Sequence, residues 1–171
     1  MLSHTAYIAL GSNLGDRHAY IHQAIEYLDN SALITIEQSS PIIETNPVGP
    51  VVQGNYLNAV TGIKTELGPF QILELMLNIE RQLGRIRGEK WGPRTIDLDL
   101  IIYDQLIINN DPRLILPHPR MHERYFVLQP LAAIAPDLIH PVIGKSIARI
   151  LSQLHADSTS QAHTPSPPSV G

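Results

Sequence analysis

"RTIDLDLIIY", residues 94–103, sets two acids, Asp97 and Asp99, inside an otherwise apolar run. Leucine and β-branched residues crowd the segment, so it reads as a strand. Side chains alternate along a strand, so Thr95, Asp97 and Asp99 share one face while Ile96, Leu98, Leu100 and Ile102 share the other. The apolar row packs a core and the carboxylates face out together. Neighbours on one strand face stand roughly 7 Å apart, and like charges there repel unless a cation neutralises them. Two carboxylates plus substrate phosphates commonly seat Mg²⁺. A solvated face paired to Arg94 or Lys90 would also accommodate them, so the D-x-D alone does not decide the chemistry.

The flanking residues add weight to the first reading. "GRIRGEKWGPR" (84–94) carries Arg85, Arg87, Lys90 and Arg94 in a glycine-punctuated loop, and guanidinium forks match phosphate oxygens. Trp91, the only tryptophan, either covers a flat ring or anchors the loop on the core. Eight of the twelve Lys and Arg residues fall between Arg81 and Arg124, although the whole chain carries a formal charge of −4. One basic zone on an acidic chain points to a compact polyanionic ligand and away from a nucleic-acid surface.

Further out, "GPFQILELMLNIERQLG" (68–84) predicts a helix: Pro69 opens it, Ile72, Leu73, Met76, Leu77, Ile79 and Leu83 run down one side, and Gly84 stops it. "AYIALGSN" (6–13) predicts a strand, followed by a helix over 16–30 behind Asp16 as cap. Residues 32–45 predict strand with a break near Ser40-Pro41, and 56–67 a further strand. After 95–103, a turn at Asp104-Gln105 and "LIINN" read as a hairpin. A proline-rich segment and a last helix near 146–154 complete the chain. The order β, α, β, β, α, β, β predicts an α+β, ferredoxin-like (split βαβ) fold with helices packed on one face of an antiparallel sheet.

Size and composition agree. The chain has 171 residues, 43% of them apolar, enough for one core. The expected division is one folded domain over 1–155 and a disordered Ser/Thr/Pro-rich tail over 156–171. With no cysteine, disulfides, thiolate metal sites and a cysteine nucleophile are excluded. Neither a leader-like start nor a run of about 20 apolar residues is present, so a cytoplasmic protein without membrane spans is expected, acting as a monomer.

Four stretches, "YIALGSNLGDR", "NYLNAV", "GRIRGEKWGPRTIDLDLIIY" and "LPHPRMHERYFVLQPLAAIAP", resemble the 6-hydroxymethyl-7,8-dihydropterin pyrophosphokinases of folate biosynthesis, from about Tyr7 to Pro141. The resemblance implies transfer of the β,γ-pyrophosphoryl unit of ATP to the pterin hydroxymethyl oxygen, releasing AMP. It implies two Mg²⁺ on Asp97 and Asp99, with Arg85 and Arg94 catalytic on a closing lid. Glu80, Arg87, Trp91, Leu100, Arg113, His118 and Arg124 would contact ATP. For the pterin it implies Tyr56 and Phe126 as aromatic plates, Asn58 and Thr45 on the ring edge, and Val48 and Trp91 as further contacts. An Asn amide can meet both donors and acceptors of a pterin edge. The chain departs from many relatives in having Leu77 where they carry Gln, and in a loop between Gly84 and Trp91 one residue shorter than in some.

Alternative classes fit less well. No G-x-x-x-x-G-K-[ST] loop exists, and "GSNLG" lacks the lysine, so a P-loop kinase is excluded. His118 and His122 stand four apart, a zinc spacing on a helix, but Pro117 and Pro119 disfavour a helix there. A D-x-D enzyme acting on nucleotide sugars normally needs a larger nucleotide-binding domain. A ferredoxin-like regulatory module would not need paired carboxylates beside an arginine loop.

Overall fold

The computed structural model describes residues 4–46, 54–84 and 95–162. Strands β1 (His4–Ser12), β2 (Ile34–Ser39), β3 (Ile43–Thr45), β4 (Tyr56–Thr65) and β5 (Asp97–Tyr103) form one antiparallel sheet. Their order is β2-β4-β1-β5, and β3 continues the β2 edge along the remaining length of β4. The helices are α1 (Arg17–Asp29), α2 (Pro69–Gln82), α3 (Tyr125–Ile134) and α4 (Ile147–Ala162), with one 3₁₀ turn at Met121–Glu123. This is the ferredoxin-like arrangement, extended by a further helical layer.

Local chemistry sets several of these boundaries. The Asp16 carboxylate accepts from the Ala19 N–H at 3.1 Å and caps α1. Pro69 occupies the first turn of α2, and the Gln71 side-chain oxygen accepts from the Gly68 N–H at 2.7 Å. Past the last turn, Gly84 takes φ +81°, which a side chain would disfavour. Between β2 and β3, the Ser40 N–H donates to Val60 O while Ser40 Oγ accepts from the Val60 N–H, both at 2.9 Å. The hydroxyl thus stands in for the ladder partner that Pro41 interrupts.

Two cores sandwich the sheet. On one face Ala6, Ile8, Leu10, Leu98 and Leu100 pack with Ile21 and Leu28 of α1 and Ile72, Met76 and Ile79 of α2. On the other, Val60 and Ile102 pack with Met121, with Val127, Leu128 and Leu131 of α3, and with Ile147 and Ile150 of α4.

Four expectations are corrected. Helices cover both faces of the sheet, not one, because the segment read as proline-rich contains α3 with Pro130 inside it. The proline costs one intrahelical bond, and burial of Val127, Leu128 and Leu131 on either side of it offsets that loss. The hairpin after Tyr103 does not form: Ile108 makes only an isolated bridge to Leu116. Ile102 does not share the face of Leu98 and Leu100, because Ile8 pairs with Leu100 while Tyr7 pairs with Ile102, leaving Ile101 as a bulge that reverses the alternation. Finally, α4 runs to Ala162, well past 154 and into the segment expected to be disordered; elongating an established helix costs little compared with starting one.

If the α3–α4 layer is integral to folding, Leu131→Ala, at a fully buried position, should cost roughly 2–5 kcal/mol. Urea unfolding measures this, and a loss under about 1 kcal/mol would show the layer to be dispensable.

Candidate active site

Register across three strands builds the site. β1 pairs Gly11 with Asp97 on one side and with Asn58 on the other, and pairs Ala9 with Asp99 and Val60. Residues directly opposite in an antiparallel ladder share a face, so both carboxylates and the Asn58 amide emerge on the α3 side of the sheet. Two strand spacings separate Asp97 from Asn58 at the backbone, about 10 Å. Tyr56 lies two residues before Asn58 on the same face, and Thr45 pairs with Tyr56 from β3. The α3–α4 layer leaves this end of the sheet open, and a cavity of about 650 Å³ occupies it.

Of the residues expected at the site, the cavity is lined by Thr45, Tyr56, Asn58, Glu80, Asp97, Asp99, His118, Arg124 and Phe126. Arg85, Arg87, Lys90, Trp91, Arg94 and Val48 lie outside the described residues. Leu100 does not line the cavity; its side chain is buried in the first core. Arg113 is also set apart, donating from Nε and Nη2 to Asp111 at 3.1 and 2.7 Å with its guanidinium 4.7 Å over the Phe70 ring. Those bonds hold the Asp111 carboxyl down to about 2.

The details show what each wall offers. Asn58 Nδ2 donates to Thr45 Oγ1 at 2.6 Å, which orients the amide. Glu80, 4% exposed, accepts from the Leu98 N–H at 3.0 Å. It thereby satisfies a backbone donor on β5 between the two aspartates. Opposite, the His118 N–H donates to Ile101 O at 2.9 Å, so the bulge anchors the segment that brings His118 to the cavity. His118 Nδ1 accepts from the Arg120 N–H at 3.2 Å, leaving Nε2 to carry the proton of the neutral ring. Burial, then the Arg124 charge, lower its pKa to about 4 against the raising influence of Asp97. Arg124 also lies 5.6 Å over the Phe126 ring. Among the described residues no group of three or more His, Asp or Glu forms a metal cage. His122 accordingly does not join His118; it sits edge-on to His140 at 6.4 Å.

This wall pattern, with Asp97 and Asp99 on one side of Gly11 and Thr45, Tyr56 and Asn58 on the other, can be compared with known proteins. A family model described as 7,8-dihydro-6-hydroxymethylpterin-pyrophosphokinase matches residues 7–136. The chain belongs to that pyrophosphokinase family. Similar family members include the 2-amino-4-hydroxy-6-hydroxymethyldihydropteridine pyrophosphokinase of Bacillus subtilis, 50% identical over 133 residues covering 78% of this chain and 79% of that one. The same-named protein of Haemophilus influenzae is 46% identical over 140 residues, 80% and 85% of the two lengths. Among solved structures, Plasmodium falciparum HPPK-DHPS superposes with a TM-score of 0.74 at 15% identity, over 94% of this chain and 46% of the larger one, and so supports the fold.

Sequence reading missed Gly11, Leu73, Arg120 and Glu123, which also line the cavity. Gly11 had a signal, the glycine that ends β1, but its use depends on register. A Cβ there would stand 3.2 Å from Asn58 Oδ1 and 3.5 Å from Tyr56 Cδ1. Arg120 and Glu123 come from a turn whose direction only tertiary packing sets.

Two outcomes follow from this geometry. Gly11→Ala should displace the Asn58 amide and, if that amide meets the pterin edge, weaken pterin binding by about tenfold or more, equal to about 1.4 kcal/mol, with nucleotide affinity changed far less; calorimetry on each ligand decides it. For His118, the C2-proton titration should have its midpoint near 4. Because the unfolded ring protonates near 6.5 and the folded ring resists until about 4, stability is lost as pH falls across that window. His118→Gln should flatten that fall in urea titrations at stepped pH, leaving the part due to buried His140, whose pKa burial also lowers.

Proposed function

We propose that this cavity is where the family reaction takes place in this chain, with the triphosphate of ATP at the carboxylate end and the dihydropterin at the Asn58 end. As a member of the family, the protein transfers pyrophosphate from ATP to the hydroxymethyl group of 6-hydroxymethyl-7,8-dihydropterin in folate biosynthesis. The hydroxymethyl oxygen loses its proton to solvent and bonds to the β-phosphorus, the bond from that phosphorus to the oxygen bridging it to the α-phosphorus breaks, and AMP leaves. The observation that supports the reading is the cross-strand row Asp97–Gly11–Asn58, in which the acid and the amide stand one strand apart on one face.

In this reading Asn58, oriented by Thr45, meets the pterin edge, and Tyr56 and Phe126 flank the ring. Stacking of this kind adds roughly 0.5–1.5 kcal/mol per aromatic contact. His118 donates from Nε2 to a phosphate oxygen, and Arg124 adds charge at the same end. Glu80 holds the β5 backbone between the aspartates. Arg85, Arg87 and Arg94, in the segment before β5, contribute to the anion site, Arg113 exchanges Asp111 for phosphate, Leu100 contacts ATP, and Val48 and Trp91 contact the pterin. Positioning and charge stabilisation dominate phosphoryl transfer, and these residues supply both.

Asp97 and Asp99 would hold Mg²⁺, two ions in the full complex. Hard oxygen donors and the lack of a third protein ligand among the described residues fit an ion that keeps waters and takes its remaining ligands from phosphates. When bound, Mg²⁺ neutralises charge on the phosphate oxygens. The proposal extends to a monomer in the cytoplasm, without nucleic-acid partners. No helix among the described residues is long and apolar enough to cross a membrane.

Asp97→Asn and Asp99→Asn test the assignment. Each should leave circular dichroism and the melting temperature nearly unchanged while cutting Mg²⁺-dependent AMP release by about a hundredfold or more, near 3 kcal/mol in the barrier. Near-normal turnover in either variant would remove the aspartates from the reaction.

A further inference from the structure

We propose that Arg17 is a positioning residue for the pterin end of the site, tying the Glu44 side chain of β3 to the Asn55 carbonyl just before β4, next to the Thr45–Tyr56 pair. The inference rests on the assignment of Thr45, Tyr56 and Asn58 to the pterin. Capping by Asp16 makes Arg17 the first residue of α1, which directs its side chain from a fixed turn. From there one guanidinium nitrogen, Nη1, donates to Glu44 Oε1 at 3.1 Å and to the Asn55 carbonyl at 2.9 Å. Glu44 immediately precedes Thr45 and Asn55 immediately precedes Tyr56, and Thr45 with Tyr56 is the terminal pair of the β3–β4 ladder. Asn13 Nδ2 reinforces the tie by donating to the Gly54 carbonyl at 3.3 Å.

The reason such a tie matters is the shortness of β3. A three-residue strand on a sheet edge has few bonds of its own to hold it. It nevertheless carries Thr45, whose hydroxyl accepts from Asn58 Nδ2. When β3 frays, Thr45 leaves and the Asn58 amide loses the bond that orients it. Affinity for the ring then falls in proportion to the fraction of molecules with β3 docked. The pair itself lies partly in solvent, with Arg17 and Glu44 side chains 30% and 52% exposed, so it adds little to global stability. Its effect is concentrated on the strand it holds.

The test uses the full chain and steady-state AMP release with each substrate varied in turn. Arg17→Ala should raise KM for the pterin about fivefold to tenfold, with kcat and KM for ATP within about twofold and the melting temperature nearly unchanged. Calorimetric pterin affinity, measured with a non-hydrolysable ATP analogue, should fall by the same factor. Arg17→Lys, whose ammonium can also donate to both acceptors but sits on a shorter side chain, should recover part of it. Asn58→Ala serves as the control on the site itself: unchanged pterin KM there overturns the ring assignment on which the inference rests. If Asn58→Ala weakens the pterin while Arg17→Ala leaves pterin KM unchanged, or raises KM for ATP equally, the positioning role is overturned.

Discussion

Everything at the site depends on the pairing of β1 with both of its neighbours. A central strand in an antiparallel sheet fixes, through one register on each side, which residues of the flanking strands share its face. Gly11 is the point where this matters most: Asp97 stands against it from β5 and Asn58 from β4. A side chain at that position would fill the space between the two ends of the site, starting with Asn58 Oδ1 at 3.2 Å. The absence of a Cβ therefore does two things at once, letting Asn58 and Tyr56 pack over the strand and keeping the space between Asn58 and Asp97 open.

The second helical layer turns that row into a cavity. Without α3 and α4 the Asp97–Asn58 face would be an open sheet surface, where charge interactions are weakened by water. α3 contributes Phe126 and Val127 to the wall, and the turn before it contributes His118, Arg120 and Arg124. The bulge at Ile101 serves the same arrangement from within β5. It moves Ile102 to the second core, where it packs beneath this layer, and its own carbonyl takes the His118 N–H. One irregular residue thus ties the strand carrying the aspartates to the segment carrying the histidine.

Much of this was legible in the sequence because the signals were local. Asp16, Pro69, Gly84 and the Ser40-Pro41 break act through their own backbone neighbours, and each marks the boundary it was read to mark. Alternation placed Asp97 and Asp99 together for the same reason, since it holds until the bulge. What failed required tertiary information. Leu106 and Ile107 look like strand residues, yet they are 38% and 50% exposed and gain no ladder partner. The segment read only as proline-rich forms α3 around Pro130, because burial on both sides outweighs one lost bond. The bonding of Arg113 to Asp111, two residues away, was likewise not anticipated.

His118 shows how the two halves of the structure shape the chemistry. The same packing that brings it into the cavity lowers its pKa to about 4, and Arg124 and Arg120 push it further in that direction than Asp97 pulls it back. Near neutral pH the ring is uncharged, and the Arg120 N–H occupies Nδ1. The side chain can then offer one directed hydrogen bond from Nε2 and no net charge. Positive charge on this wall comes instead from guanidinium groups, which stay charged throughout the accessible pH range. From pH 7 toward 5 the ring therefore adds no charge to this wall of the cavity, and what its titration removes is folding stability.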